Sequence, residues 1–311
     1  MYIEQGRKGT IGMWKFLILP LGFLAMVVVN YISTINSPID VTVLMQKLIE
    51  ELGRNTVFVI LLLPLAVGLF VVWGWVKLIH QQSITSLTTS RKKVDWKRVF
   101  FSFFLWTTVT LVMTGIGIFL APEDYVFNFK LVPFITLMVV SIILVPMQTS
   151  FEEYLFRGHM MQGIGLVAKN RWMPLVITSV LFGLMHLANP EVEKLGYGIM
   201  VYYIGTGFFL GILTLMDEGL ELALGFHAAN NLITALLVTA DWTAFQTDSI
   251  YRDISEPVLG WDVFVPVLVV YPILLFIMSK KYGWTNWKEK LTGKLLSAEE
   301  MNANSPDEIT A

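Results

Sequence analysis

Leu131 to Gly158 reads LVPFITLMVVSIILVPMQTSFEEYLFRG. The first nineteen residues, Leu131 to Thr149, carry no charge, and then Glu152, Glu153 and Arg157 fall within six positions. A run of this length is close to the ~20 residues a helix needs to cross the apolar core of a bilayer. Charge placed inside or beside such a helix is costly and marks function or a specific partner.

Similar apolar runs recur along the chain, at Trp14 to Tyr31, Thr56 to Val76, Val99 to Leu120, Trp172 to Pro190, Leu195 to Met216, Leu222 to Ala240 and Val263 to Ser279. With the opening run they predict an all-α, polytopic membrane bundle of about eight transmembrane helices around a polar cavity. Composition agrees. Of 311 residues 55% are hydrophobic and 15% charged, against about a quarter charged in soluble domains. The lipid bilayer is thus the first expected partner, and nucleic acid is not one. The net charge of -2 is uninformative, but the cations are placed asymmetrically. Arg7, Lys8, Lys15, Arg91 to Lys93, Lys169, Arg171, Lys280 and Lys281 fall on one side and far fewer on the other. That bias predicts both termini in the cytoplasm, in a plasma (inner) membrane. The acidic loop Asp217 to Glu221 falls on the cationic side and does not fit the pattern.

No cysteine is present, which excludes disulfides and thiolate chemistry. Four segments are expected: helices and a basic loop over 1–130, a core over 131–240, a final helix with a basic flank over 241–296, and a polar disordered tail over 297–311. Most tryptophans lie near span ends, as interfacial anchors do. The small-residue face Gly205, Gly207 and Gly211 reads as helix packing.

Glu153 and Arg157, four apart, share a helical face, while Glu152 points about 100° away. One carboxylate is then neutralised and the other is free to face a cavity. His186 lies in an uncharged run one turn after Phe182, and His227 and Asn231 repeat the one-turn spacing. Polar side chains on three separate spans imply a shared site. If Lys169 to Arg171 is a turn, Glu152 and His186 stand seventeen residues to either side of Lys169 and meet across a helical hairpin. A carboxylate and an imidazole can hold and deprotonate one water. A second imidazole with an amide can donate hydrogen bonds to an oxyanion. That is the inventory for hydrolysing an amide without a covalent intermediate.

Glu152-Glu153-x-x-x-Arg157, Phe182-x-x-x-His186 and His227-x-x-x-Asn231, in this order, resemble the CAAX protease and bacteriocin-processing family of intramembrane endopeptidases, whose eukaryotic members are the type 2 CAAX prenyl endopeptidases. The resemblance implies a helical membrane fold with a polar cavity opening to the cytosolic side. It implies a metal-independent glutamate-type peptidase with no cofactor. Glu152 would activate water with His186, and His227 with Asn231 would form the oxyanion hole. Glu153, Arg157 and Phe182 would support them, and a membrane-associated peptide or protein would be the substrate.

Two other readings use the same residues. Two histidines and a glutamate form a known catalytic zinc set, although the usual His-Glu-x-x-His arrangement is absent. A non-catalytic membrane scaffold or immunity protein of the same fold, with a partner in a membrane complex, is the other. Among lesser candidates, His159 reads as a membrane-surface histidine and His80 has no assigned role. Asn230, three after His227, could substitute for Asn231 in some poses, although the spacing of the family motif favours Asn231. Tyr197, Tyr202 and Tyr203 read as interfacial aromatics.

Overall fold

A computed structural model describes residues 1–295. The tail expected to be disordered, 297–311, lies outside the described residues. The chain is an α-helical membrane bundle: α1 (Met13–Ile35), α2 (Val41–Leu52), α3 (Arg54–Leu78), α4 (Trp96–Leu120), α5 (Leu131–Ala168), α6 (Trp172–Leu184), α7 (Met200–Asp217), α8 (Glu221–Leu237) and α9 (Trp261–Tyr282). All eight apolar runs are largely helical, but among the described residues six helices are long and apolar enough to cross a membrane. The other two, α6 with 13 residues and α8 with 17, are shorter. The run expected to stay helical to Pro190 leaves the helix at Leu184, turns through Met185 to Ala188, and restarts as the short helix Pro190–Leu195.

The most extensive packing joins α4 to α8, α3 to α5, and α6 to α7, with α5 against α8 next. Small residues permit it. A Cβ on Gly225 of α8 would run into the backbone carbonyl of Val99 on α4. A Cβ on Gly207 would stand 2.5 Å from the Ser179 carbonyl. The glycine face on α7 is therefore a packing face, as its spacing predicts. Outer helices keep apolar side chains exposed, among them Phe100, Phe104, Ile116 and Phe119 on α4, which suits lipid as the surrounding solvent.

The two ends of the bundle differ. One carries a small sheet that the apolar patterning did not predict, ordered β1 (Tyr125–Phe127), β3 (Tyr251–Asp253), β2 (Val238–Ala240). β1 and β3 are antiparallel, and β2 and β3 parallel. The other end is basic, and it explains the acidic loop that broke the charge pattern. Arg91 pairs with Asp217 and Glu221 at 3.1 Å each, Arg98 also pairs with Asp217, and Lys290 pairs with Glu218 at 3.5 Å. The basic loop before α4 is thereby clasped to the α7–α8 turn. At the same end a 3-10 turn, Ile3–Lys8, is tucked into the core, with Ile3 and Glu4 fully buried and Glu4 paired to Arg171 at 2.8 Å.

Trp14, Trp96, Trp172 and Trp261 are exposed near helix ends, as anchors are. Trp106 and Trp284 are not anchors: each is buried and its ring N–H is bonded, to Asn230 and to Asp217 respectively. His159 is not at the surface either. It is 1% exposed, packed against His80 and Phe16 at ring separations of 5.1 and 5.3 Å. Phe16 of α1 and His80 beyond the end of α3 hide it, which its own helix could not reveal.

Candidate active site

α5 runs without interruption from the sheet end to the basic end, and just past Glu153 its hydrogen bonding shifts to a π-helical stretch, Tyr154–Met160. Such insertions recur at functional sites because they re-aim neighbouring side chains. Glu152, Glu153 and Arg157 are all buried, the last two fully. Arg157 Nη1 donates to Glu153 Oε1 at 2.9 Å, and Nη2 donates to the Gly207 carbonyl at 3.0 Å. The guanidinium lies 4.2 Å from the ring centre of Phe182, a cation–π contact in a dry setting. The one-turn pairing read from the spacing is present.

The histidines are arranged differently from the expectation. His227 Nδ1 donates to Glu153 Oε1 at 2.8 Å, and its Nε2 stands 3.6 Å from Glu152 Oε2. One imidazole edge therefore spans both carboxylates, so Glu153 is held by His227 as well as by Arg157. Among the described residues Glu152 and His186 share no direct hydrogen bond or ion contact, and the imidazole paired with Glu152 is that of His227. His186 lies beyond the end of α6, where its Nδ1 bonds the Phe182 carbonyl at 2.8 Å. A carbonyl only accepts, so Nδ1 carries the proton and Nε2 is left with a lone pair. The ring stacks on Tyr203 at 4.3 Å and 13°, and Phe182 lies 5.2 Å from it and 5.7 Å from His227. Tyr203 is thus a wall of the site and not an interfacial aromatic.

Asn231 Nδ2 donates to Gln148 Oε1 at 3.2 Å, and Gln148 Nε2 donates to Glu152 Oε1 at 2.5 Å. Gln148 is a site residue that the motif reading passed over. Its signal was available: it is the only amide in the uncharged run and sits one turn before Glu152. Asn230 donates to Asn231 Oδ1 at 3.0 Å and accepts from Trp106 Nε1 at 3.0 Å and Tyr202 Oη at 3.4 Å. It orients Asn231 and does not stand in for it. Asn230 and Asn231 line a cavity of about 310 Å³ at the sheet end. Among the described residues no three His, Cys, Asp or Glu side chains are grouped to hold a metal ion.

The arrangement gathers a buried carboxylate, the buried imidazole of His227, the half-buried imidazole of His186 and a half-buried amide pair, braced by a buried ion pair. This is a polytopic helical membrane protein with a buried glutamate–histidine centre. Residues 131–233, which contain all three motifs, match the family model described as Type II CAAX prenyl endopeptidase Rce1-like. The resemblance carried by those motifs is thus borne out over that segment. The chain is also similar to the Uncharacterized protein YyaK of Bacillus subtilis (strain 168), 32% identical over 169 residues, which are 54% of this chain and 56% of that one. The similarity thus spans about half the length of that relative. No solved structure matches.

Proposed function

We propose that the chain is an intramembrane endopeptidase that hydrolyses a peptide bond of a membrane-associated peptide or protein. What supports this most is the cluster in which His227 is hydrogen-bonded to Glu153 and stands 3.6 Å from Glu152, while Gln148 ties Glu152 to Asn231. Glu152 takes a proton from a water that the Nε2 lone pair of His186 helps to hold, and the resulting hydroxide attacks the scissile carbonyl carbon. The negative charge on the carbonyl oxygen is met by N–H of Asn231 and by His227 once its Nε2 carries a proton. Glu152, 3.6 Å from that nitrogen, exchanges protons with it and returns one to the leaving amine as the C–N bond breaks. Glu153 and Arg157 hold the imidazole in place. No metal or cofactor enters this scheme, and activity is expected to survive exhaustive chelation.

The test compares membrane peptidomes of cells carrying the native chain and Glu152→Gln, which keeps size and loses the base. Peptides that depend on the native chain, and vanish with the variant at equal expression, are the expected outcome, with a rate loss of ~10²-fold or more. Identical peptidomes would favour the scaffold reading.

A further inference from the structure

On the outer face of α4 the exposed rings of Trp96, Phe100 and Phe104 follow one another a turn apart, with ring separations of 6.5 and 6.4 Å. Phe100, Phe101, Phe104, Leu105 and Thr108 line a groove of about 400 Å³, in which only the threonine carries a polar side chain. The groove starts near the basic end and follows the helix axis for ~12 Å, at ~1.5 Å per residue. It thus stays within one leaflet, about half of the ~30 Å bilayer core. An acyl chain of that leaflet fits this depth, whereas a partner spanning helix would need a contact along the whole of α4.

Cations stand over the basic end of the groove. Lys97 precedes Phe101, Phe104 and Thr108 by four, seven and eleven residues and so shares their helical face. Lys281, at the end of α9, holds its Nζ 4.4 Å from the centre of the Phe101 ring. Both lysines are exposed. An ammonium carries three N–H donors, and among the described residues neither of these two is bonded to an acceptor or paired with a carboxylate. Arg98 beside them is different, because Asp95 and Asp217 neutralise it. Asp95 spends its other oxygen on the Lys97 backbone N–H at 3.0 Å. An apolar trough is therefore headed by two ammoniums that the protein leaves without a counter-ion.

We propose that this groove binds one anionic phospholipid from the leaflet at the basic end. Its acyl chain lies along Phe100, Phe104 and Leu105, and its phosphate accepts from the ammoniums of Lys97 and Lys281. Basic pockets between spanning helices bind anionic headgroups in this way. The site is on the lipid side of α4, and its test needs no peptidase activity.

The full chain is reconstituted in nanodiscs of equal dioleoylphosphatidylglycerol and dioleoylphosphatidylcholine, released into mild detergent, and its retained lipid counted by native mass spectrometry. One phosphatidylglycerol per chain should persist, in preference to phosphatidylcholine. Lys97→Gln and Lys281→Gln should each weaken retention roughly fivefold, the worth of one cation at an anionic leaflet. Thr108→Trp, which fills the groove and leaves the charges alone, should weaken it as well. Lys8→Gln, an exposed cation on the Ile3–Lys8 turn at the same end, should not. Excess inorganic phosphate should fail to displace the lipid, since the chain as well as the headgroup is held. All these positions except the groove threonine are surface cations, so melting in detergent should match the native protein. Equal retention of the two lipids, a loss with Lys8→Gln as large as that with Lys281→Gln, indifference to Thr108→Trp, or displacement by phosphate would each overturn the site. The chain has no cysteine, so disulfide-linked dimers of Phe104→Cys formed in the membrane would give the groove to a second copy and overturn it too.

Discussion

Arg157→Met is the perturbation with the largest calculable effect. The guanidinium and the Glu153 carboxylate are both 0% exposed and 2.9 Å apart. Removing the arginine strands a buried carboxylate whose remaining donor is His227, a loss of about 3–5 kcal/mol. The Gly207 carbonyl also loses its donor, adding about 1 kcal/mol. Glu153→Leu strands the arginine at a similar cost. The double variant removes both charges and should cost far less than the sum, because buried ion pairs replaced by apolar groups of similar volume are often near neutral. Tryptophan fluorescence during thermal unfolding in detergent follows all four proteins. Each single variant should melt roughly 5–15 °C lower, and the double should recover much of that. Additive losses, or an Arg157→Met melt that matches the native one, would refute the claim that this pair braces the site.

Gln148→Leu should cut kcat about 10–100-fold with little change in KM or melting temperature, because it frees Glu152 and Asn231 to drift from their working geometry; an unchanged kcat with a model peptide removes Gln148 from the site. Burial holds the His80 imidazole below its ordinary range, partly opposed by its bond to the Lys15 carbonyl. The folded state therefore prefers the neutral ring, so this contribution to stability is complete above the unfolded value of about 6.5 and is lost as pH falls below it. The native chain should lose more melting temperature between pH 7.5 and pH 5 than His80→Gln does, and equal losses would contradict the assignment.

Much of the architecture follows from the order of residues alone. Runs such as Leu131 to Thr149 have to be helical, because lipid offers no partner for backbone N–H and C=O groups. The Glu153–Arg157 pair follows from helical periodicity within one segment. Three polar motifs on three apolar helices already point to a common centre, since each is too costly to leave facing lipid. What spacing could not supply was which imidazole meets which acid. That depends on the early end of α6 at Leu184, which turns His186 aside towards Tyr203, and on the close approach of α8 to α5, which brings His227 to both glutamates. The bonds of Gln148 to Asn231 and of Trp106 to Asn230, the burial of His159 against Phe16 and His80, and the pairing of the acidic loop with Arg91 and Arg98 are likewise contacts between residues distant in the chain. Local sequence determines the period and the cost of each polar side chain. Which partner meets that cost is decided only when helices pack, because burial and hydrogen bonding depend on neighbours that no single segment contains.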